Sequence, residues 1–157
     1  MERGFVIPKA AYCACSGGCR AGSSCSFGCV GCGVCVSVCP QEAVSLNAFG
    51  VAEVDAARCA GCGRCAEECP RGVLHLHEIG SPMAVVCSSE DAPKVKRGYC
   101  AVSCIGCGLC ARSCPAGAIR VAQNLARMEE SLCLSCGVCA VSCPRGAIRD
   151  LRGLLTP

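Results

Sequence analysis

Apolar residues occur along this chain in short runs that are broken by glycine, proline and cysteine. Residues 51–55 and 126–128 have the pattern of short strands that return along a preceding strand. Residues 34–38 and 109–113 are long enough for one or two helical turns. No run approaches the ~18 continuous apolar residues of a membrane span, so we expect no direct membrane insertion. The pattern predicts an α+β fold of short β-hairpins and short helices.

One pattern, C-x2-C-x2-C-x3-C-P, occurs four times without gaps. The four copies occupy residues 29–40, 59–70, 104–115 and 133–144. After each copy comes a similar short segment that predicts a turn followed by an apolar strand. These segments are residues 41–44, 71–74, 116–119 and 145–148. The spacing of the copies indicates a duplication of a duplication, which predicts two tandem modules of two halves each.

The repeats divide the chain into five segments. We predict a Cys-rich N-terminal segment at residues 1–24, a first module at 25–80, a linker at 81–99, a second module at 100–150 and a C-terminal tail at 151–157. Modules of this size bury little apolar surface and need cross-links to be stable.

Composition indicates what the cross-links are. The chain has 157 residues and 22 cysteines, but no Trp, two Tyr and three Phe. Residues 1–9 contain no apolar run like that of a signal peptide, which predicts a cytoplasmic location. In a reducing compartment, clustered cysteines more often bind metal than form disulfides. A disulfide scaffold is therefore the weaker alternative.

The repeated pattern is the cysteine spacing of bacterial two-cluster iron–sulfur modules, in which the fourth Cys binds the other cluster of the pair. Zinc sites usually have four ligands in two pairs, which fits less well. We therefore predict four [4Fe–4S] clusters, each with four Cys ligands. The ligand sets are Cys29, Cys32, Cys35 and Cys69; Cys59, Cys62, Cys65 and Cys39; Cys104, Cys107, Cys110 and Cys143; and Cys133, Cys136, Cys139 and Cys114.

Two other positions recur in every copy. A glycine follows the second Cys, where a positive φ lets the backbone bend tightly past a cluster. A proline follows the fourth Cys, where its fixed φ ends the short helix. These residues are Gly33, Gly63, Gly108 and Gly137, and Pro40, Pro70, Pro115 and Pro144.

Six cysteines lie outside the repeats, which is too many for incidental thiols. Cys25 and Cys100 each lie four residues before the first Cys of a module, which places them on equivalent edges. We predict a fifth cluster, and the favoured ligands are Cys19, Cys25, Cys87 and Cys100, with Cys13 or Cys15 as substitutes. Free cysteines, or a zinc site at these residues, are the alternatives.

Charge does not favour a nucleic-acid partner. The formal net charge is +3, and four oxidised clusters with their thiolates would change it to about −5. The chain has neither a basic run nor an aromatic platform for stacking bases.

The remaining polar residues of interest are predicted to have structural roles, on a strand or in a loop. His75 and His77 alternate with apolar residues and are predicted on the exposed face of a strand, not as ligands. Lys94, Lys96 and Arg97 are predicted in a solvated linker loop. Neither a catalytic triad nor a nucleotide-binding fingerprint is visible.

The chain resembles tandem two-cluster ferredoxins, and more closely the cluster-bearing region of the B subunit of Rnf-type ferredoxin:NAD oxidoreductases. The resemblance extends over residues 19–150. The stretches that carry it are residues 19–21, 25–32, 87–91, 100–107 and 124–126.

The resemblance implies an electron-transfer subunit, not an enzyme on its own, with catalytic oxidoreductase subunits and a ferredoxin-like carrier as partners. That B subunit normally begins with a membrane helix and a further Cys-bearing domain, neither of which is visible here, so we expect a chain without an anchor. A freely diffusing polyferredoxin is one alternative. A metal-storage or regulatory thiol protein is an alternative of another class.

Overall fold

The computed structural model describes residues 8–17 and 25–155. Within these residues the strands are β1 (Lys9–Cys13), β2 (Val44–Leu46), β3 (Ala52–Val54), β4 (Leu74–Glu78), β5 (Met83–Val85), β6 (Ile119–Ala122), β7 (Leu125–Met128) and β8 (Ile148–Asp150). The helices are α1 (Val34–Ser37), α2 (Arg64–Glu67), α3 (Pro93–Tyr99), α4 (Leu109–Ser113) and α5 (Val138–Ser142), with a 3₁₀ turn at Glu130–Leu132. The predicted α+β fold of short strands and short helices is confirmed.

The strands form antiparallel pairs. Two pairs, β2 with β3 and β6 with β7, are the hairpins predicted between the two halves of each module. The other two pairs, β1 with β4 and β5 with β8, join segments far apart in sequence. Strand β1 lies in the segment predicted as N-terminal, and β5 lies in the segment predicted as linker. Each module therefore includes a strand from before its first repeat, while the module boundaries stay a prediction.

Each module has its own small core, and both cores contain cysteines of the repeats. The first consists of Ala11, Cys35, Val44, Ala52, Cys65 and Leu74. The second consists of Met83, Val85, Cys104, Cys110, Ile119, Leu125, Ala126, Cys139, Ala140, Ala147 and Ile148. Because so few large side chains are buried, apolar packing alone stabilises the modules little.

The prediction that both histidines are exposed is right for His75 and wrong for His77. His75 is exposed, but His77 is only 5% exposed. Strand β1 pairs with β4 and brings the Tyr12 ring against His77, with 5.8 Å between the ring centroids. The pairing places the buried Ala10 opposite His77, so this long-range contact buries His77 while His75 on the same face stays exposed.

The prediction of a solvated basic loop is wrong. Lys94, Lys96 and Arg97 lie on helix α3, and the side chain of Lys96 is fully buried. Its Nζ donates hydrogen bonds to the backbone oxygens of Ser89 (2.6 Å), Cys104 (2.9 Å) and Asn124 (2.7 Å). Three carbonyl acceptors compensate for the burial of the ammonium group.

Candidate iron–sulfur sites

The same local geometry presents the cysteines of all four repeats. The glycine after the second Cys has a φ of 75–81° in every copy and is the N-cap of the helix that follows. The helix then directs the third Cys inward, while the second Cys stays at the surface. The buried cysteines are Cys35, Cys65, Cys110 and Cys139, and the exposed ones are Cys32, Cys62, Cys107 and Cys136.

The third Cys of each repeat lies close to the fourth Cys of the other repeat in the same module, and the charge of that thiolate affects its pKa. Burial, together with the thiolates of Cys29, Cys32 and Cys69, raises the pKa of Cys35. Burial and neighbouring thiolates likewise raise the pKa of Cys65 and Cys110, and that of Cys139 to about 11. The neighbours are Cys59, Cys39 and Cys62 for Cys65; Cys104, Cys143 and Cys107 for Cys110; and Cys133, Cys114 and Cys136 for Cys139.

Three of these groups surround cavities, and four cysteines line each cavity. The lining cysteines are Cys29, Cys32, Cys35 and Cys69; Cys104, Cys107, Cys110 and Cys143; and Cys114, Cys133, Cys136 and Cys139. The structure thus brings together the residues of the predicted crossed sets, and their ligation of iron stays a prediction.

Backbone amides donate hydrogen bonds to cysteine sulfurs in these sets. The sulfur of the fourth Cys accepts from the alanine amide four residues later at 3.3 Å, for Cys39, Cys114 and Cys143. Such N–H···S bonds favour the thiolate form and tune the potential of a bound cluster. Because the donor is a backbone amide, the signal in the sequence is its fixed distance of four residues after the fourth Cys.

Other amide donors come from strands, and the local sequence gives no sign of them. Ala11 of β1 donates to the Cys59 sulfur at 3.4 Å, and Ala126 of β7 donates to the Cys104 sulfur at 3.4 Å. These contacts depend on the pairing of β1 with β4 and of β6 with β7, so only the fold reveals them.

The chemistry of the donor sets fits a group larger than one ion. In the described ranges, 8–17 and 25–155, no three Cys, His, Asp or Glu side chains are close enough to hold a single metal ion. Thiolates bound to one Zn²⁺ at about 2.3 Å would lie about 3.8 Å apart. Four cysteines around one cavity, with amide donors to their sulfurs, fit a cubane iron–sulfur cluster instead.

The cysteines outside the repeats do not all lie together. Cys15, Cys25, Cys87 and Cys100 line a further cavity between the two modules. Burial, together with the thiolates of Cys29, Cys15 and Cys69, raises the pKa of Cys13, which packs against the first core. Cys19, which was favoured as a ligand, lies outside the described residues.

Helix length bears on membrane insertion. Across the part of the chain that the structure describes, every helix is too short or too polar to cross a bilayer.

Comparison with known proteins agrees with this arrangement. The 4Fe-4S dicluster domain family matches residues 28–73 and 103–147, and a second 4Fe-4S dicluster family matches residues 58–119. Together the first two ranges cover more than half of the chain.

Two individual proteins are similar to this chain. The B subunit of the proton-translocating ferredoxin:NAD(+) oxidoreductase complex of Clostridium ljungdahlii is 46% identical over 109 residues, which are 69% of this chain and 38% of that protein. This chain thus spans well under half the length of that relative. A chain of the formate dehydrogenase–heterodisulfide reductase–formylmethanofuran dehydrogenase complex of Methanospirillum hungatei is 23% identical, with a TM-score of 0.31, over 78% of this chain and 51% of that one.

The cysteine repeats, the four crossed groups and the family matches lead to the same conclusion. This chain belongs to the 4Fe-4S dicluster domain family, and it carries two ferredoxin modules in tandem like those of Rnf complex B subunits.

Proposed function

We propose that this chain is an electron-transfer subunit of a larger cytoplasmic oxidoreductase complex and carries single low-potential electrons on four [4Fe–4S] clusters. The observation that carries the proposal is the arrangement of the repeat cysteines in crossed groups of four, one group for each repeat. When bound, each cluster would supply a one-electron carrier.

The chain's own residues favour electron transfer over catalysis. Each proposed set supplies four thiolates, which leaves no open position on iron for a substrate. Each set also has one exposed Cys, and this gives every site a route to the surface of a partner. The amide donors and buried third cysteines shield the opposite side of each site from water.

The resemblance and the exposed cysteines also indicate which partners the chain would have. The resemblance to an Rnf B subunit supports a catalytic oxidoreductase partner and a ferredoxin-like carrier, exchanging electrons at the exposed cysteines Cys32, Cys62, Cys107 and Cys136. Modules loaded with clusters would be acidic, which favours docking on a basic partner surface.

The test is to purify the chain without oxygen and to measure iron, acid-labile sulfide and zinc per chain. We expect at least about 16 iron and 16 sulfide per chain, and electron paramagnetic resonance signals that appear on reduction. Co-purification with a large oxidoreductase supports a subunit, whereas elution alone supports a free carrier. Zinc without sulfide would overturn the proposal.

A further inference from the structure

The cavity between the modules is built from equivalent positions of the duplication. The amide of Ala14 donates to the Val73 oxygen at 2.7 Å, and the amide of Val86 donates to the Ala147 oxygen at 2.9 Å. Both bonds extend a strand pair by one residue, β1 with β4 and β5 with β8. The next residue in each case is a cysteine, so Cys15 and Cys87 occupy the same position in the two modules.

The following serines join the modules by a reciprocal pair of hydrogen bonds. The Ser16 hydroxyl donates to the Val86 oxygen at 3.0 Å, and the Ser88 hydroxyl donates to the Ala14 oxygen at 2.9 Å. Each module therefore fixes the strand end of the other. This reciprocity indicates an approximate two-fold relation about the junction.

The second pair of cysteines obeys the same relation. Arg71 donates to the backbone oxygens of Cys25 (Nη2, 3.3 Å) and Gly28 (Nε, 3.3 Å). In the second module Arg145 donates to the backbone oxygens of Cys100 (Nη2, 2.6 Å) and Ser103 (Nε, 3.5 Å). Both arginines follow the Cys-Pro of the second repeat of their module, so equivalent side chains hold the backbone of Cys25 and of Cys100.

The four cysteines line one cavity, as the cysteines of the repeats do. Its lining also includes hydroxyl groups, but these are engaged in hydrogen bonds. Ser16 and Ser88 donate to the opposite module, Ser89 pairs with the Tyr99 hydroxyl at 2.7 Å, and Ser103 donates to the Cys100 oxygen at 3.3 Å. The thiols are therefore the principal metal ligands available there.

We propose that Cys15, Cys25, Cys87 and Cys100 bind a fifth [4Fe–4S] cluster at the junction of the two modules. Cys15, which the sequence analysis gave as a substitute ligand, replaces Cys19 in this set. Each module supplies two of the ligands, so the site is incomplete without both. The inference rests on the proposed function, because it takes the repeat cysteines to hold clusters of the same type.

The site would also fix the relative position of the modules. Cys25 lies four residues before Cys29 of the first set, and Cys100 lies four residues before Cys104 of the third. A cluster at the junction would therefore lie between the two modules and connect their redox sites.

The experiment compares the full chain with two variants, all purified without oxygen. The first variant, Cys15→Ser with Cys87→Ser, removes one ligand from each module. The second, Cys13→Ser, is the matched control, since Cys13 lies two residues from Cys15 and outside the proposed set. Iron and sulfide are counted per chain, and alkylation followed by mass spectrometry identifies which cysteines of the loaded chain react.

We expect about 20 iron in the full chain and in the Cys13→Ser control, and about 16 in the double variant. Cys15, Cys25, Cys87 and Cys100 should be protected from alkylation until the metal is removed. A full chain with about 16 iron, whose four junction cysteines are alkylated before the metal is removed, would overturn the fifth cluster and leave the proposed function intact. This count on the unaltered chain decides the matter even if the double variant fails to fold. A chain without iron or sulfide would overturn the proposed function and this inference together.

Discussion

The two modules share their strand pairing and their cysteine framework, but they differ in what surrounds those cysteines. Among the residues that the structure describes, the apolar cluster of the first core has six buried members and that of the second has eleven. Helix α3 precedes the repeats of the second module and places the buried ammonium of Lys96 against the backbone oxygen of Cys104. Duplication has therefore kept the groups that would hold iron, while packing and local charge have diverged. We expect similar clusters in two modules of unequal stability and potential.

The largest expected difference concerns the crossing ligands, Cys69 in the first module and Cys143 in the second. Each groups with the first three cysteines of the other repeat of its module. Because the first module has the smaller core, Cys69→Ser should unfold it and remove about eight irons. Cys143→Ser should remove only about four, since the larger core keeps the remaining site in place.

Iron analysis and circular dichroism of the two variants check this prediction, with Cys13→Ser as the control that should keep its full iron content. Equal losses from both variants would show that core size does not decide how a module responds. Full iron content in both would contradict the crossed sets themselves.

The next comparison removes the buried positive charge of the second module. Lys96→Met leaves three carbonyl acceptors without a donor and should cost about 3–5 kcal/mol of stability. It also removes a positive charge beside the third set, which should lower the potential of that module by the equivalent of about 1–2 kcal/mol. Lys94→Met, on the exposed side of the same helix, should change neither.

Redox titration followed by paramagnetic resonance, together with thermal unfolding, separates the two effects of Lys96. If the variant loses stability while every potential stays at its original value, Lys96 is a structural residue only.

The third comparison concerns the residue immediately before the second cysteine of each repeat. Glycine occupies it in three copies, and in the fourth Ser135 adopts a φ of 54°. A Cβ on Gly106 would lie 2.9 Å from the backbone of Asn124, whereas the Ser135 hydroxyl donates to the Gly80 oxygen at 3.2 Å. Gly106→Ser should therefore cost about 2–4 kcal/mol, through steric overlap and backbone strain.

The reverse change, Ser135→Gly, relieves strain but loses a hydrogen bond and increases the entropy of the unfolded chain, so it should shift stability by less than about 1 kcal/mol. Chemical denaturation of both variants measures the difference. Similar effects at the two sites would mean that the close approach of the Asn124 backbone is unimportant.

The features that depend on local residue spacing could be predicted from the sequence, whereas those that depend on pairing between strands far apart in sequence could not. The repeats predicted hairpins and helices at the correct places, because a glycine with positive φ and a following proline define each short helix locally. The roles of β1 and β5, the burial of His77 and the position of Cys15 all follow from antiparallel pairing between segments more than sixty residues apart. The burial of Lys96 could not be predicted for a related reason, because its three hydrogen-bond acceptors come from separate parts of the chain.

The smallest expected effect distinguishes equivalent positions of β4 and β8. Leu76 of β4 corresponds to Asp150 of β8, because each lies seven residues after the fourth Cys of its repeat. Asp150 is buried and accepts hydrogen bonds from the Arg152 amide and from its Nε, both at 3.0 Å. Although burial opposes it, the hydrogen bonds and charge of Arg152 hold the pKa of Asp150 below its usual value.

A carboxyl whose pKa is lowered by folding stabilises the protein above its unfolded pKa of about 3.9, and this stabilisation is lost as pH falls through the lower folded value. Asp150→Asn should therefore cost about 1 kcal/mol, because the arginine side chain is half exposed and the pair is partly screened. The difference between variant and wild type should be constant from pH 5 to pH 8, a range in which the clusters can be kept intact. Leu76→Asn is the matched change in the first module, and its cost should come from lost apolar burial and not depend on salt. Unfolding measured at low and high ionic strength checks the contrast: if high salt leaves the cost of Asp150→Asn unchanged, the interaction of Asp150 with Arg152 is not what stabilises the end of the second module.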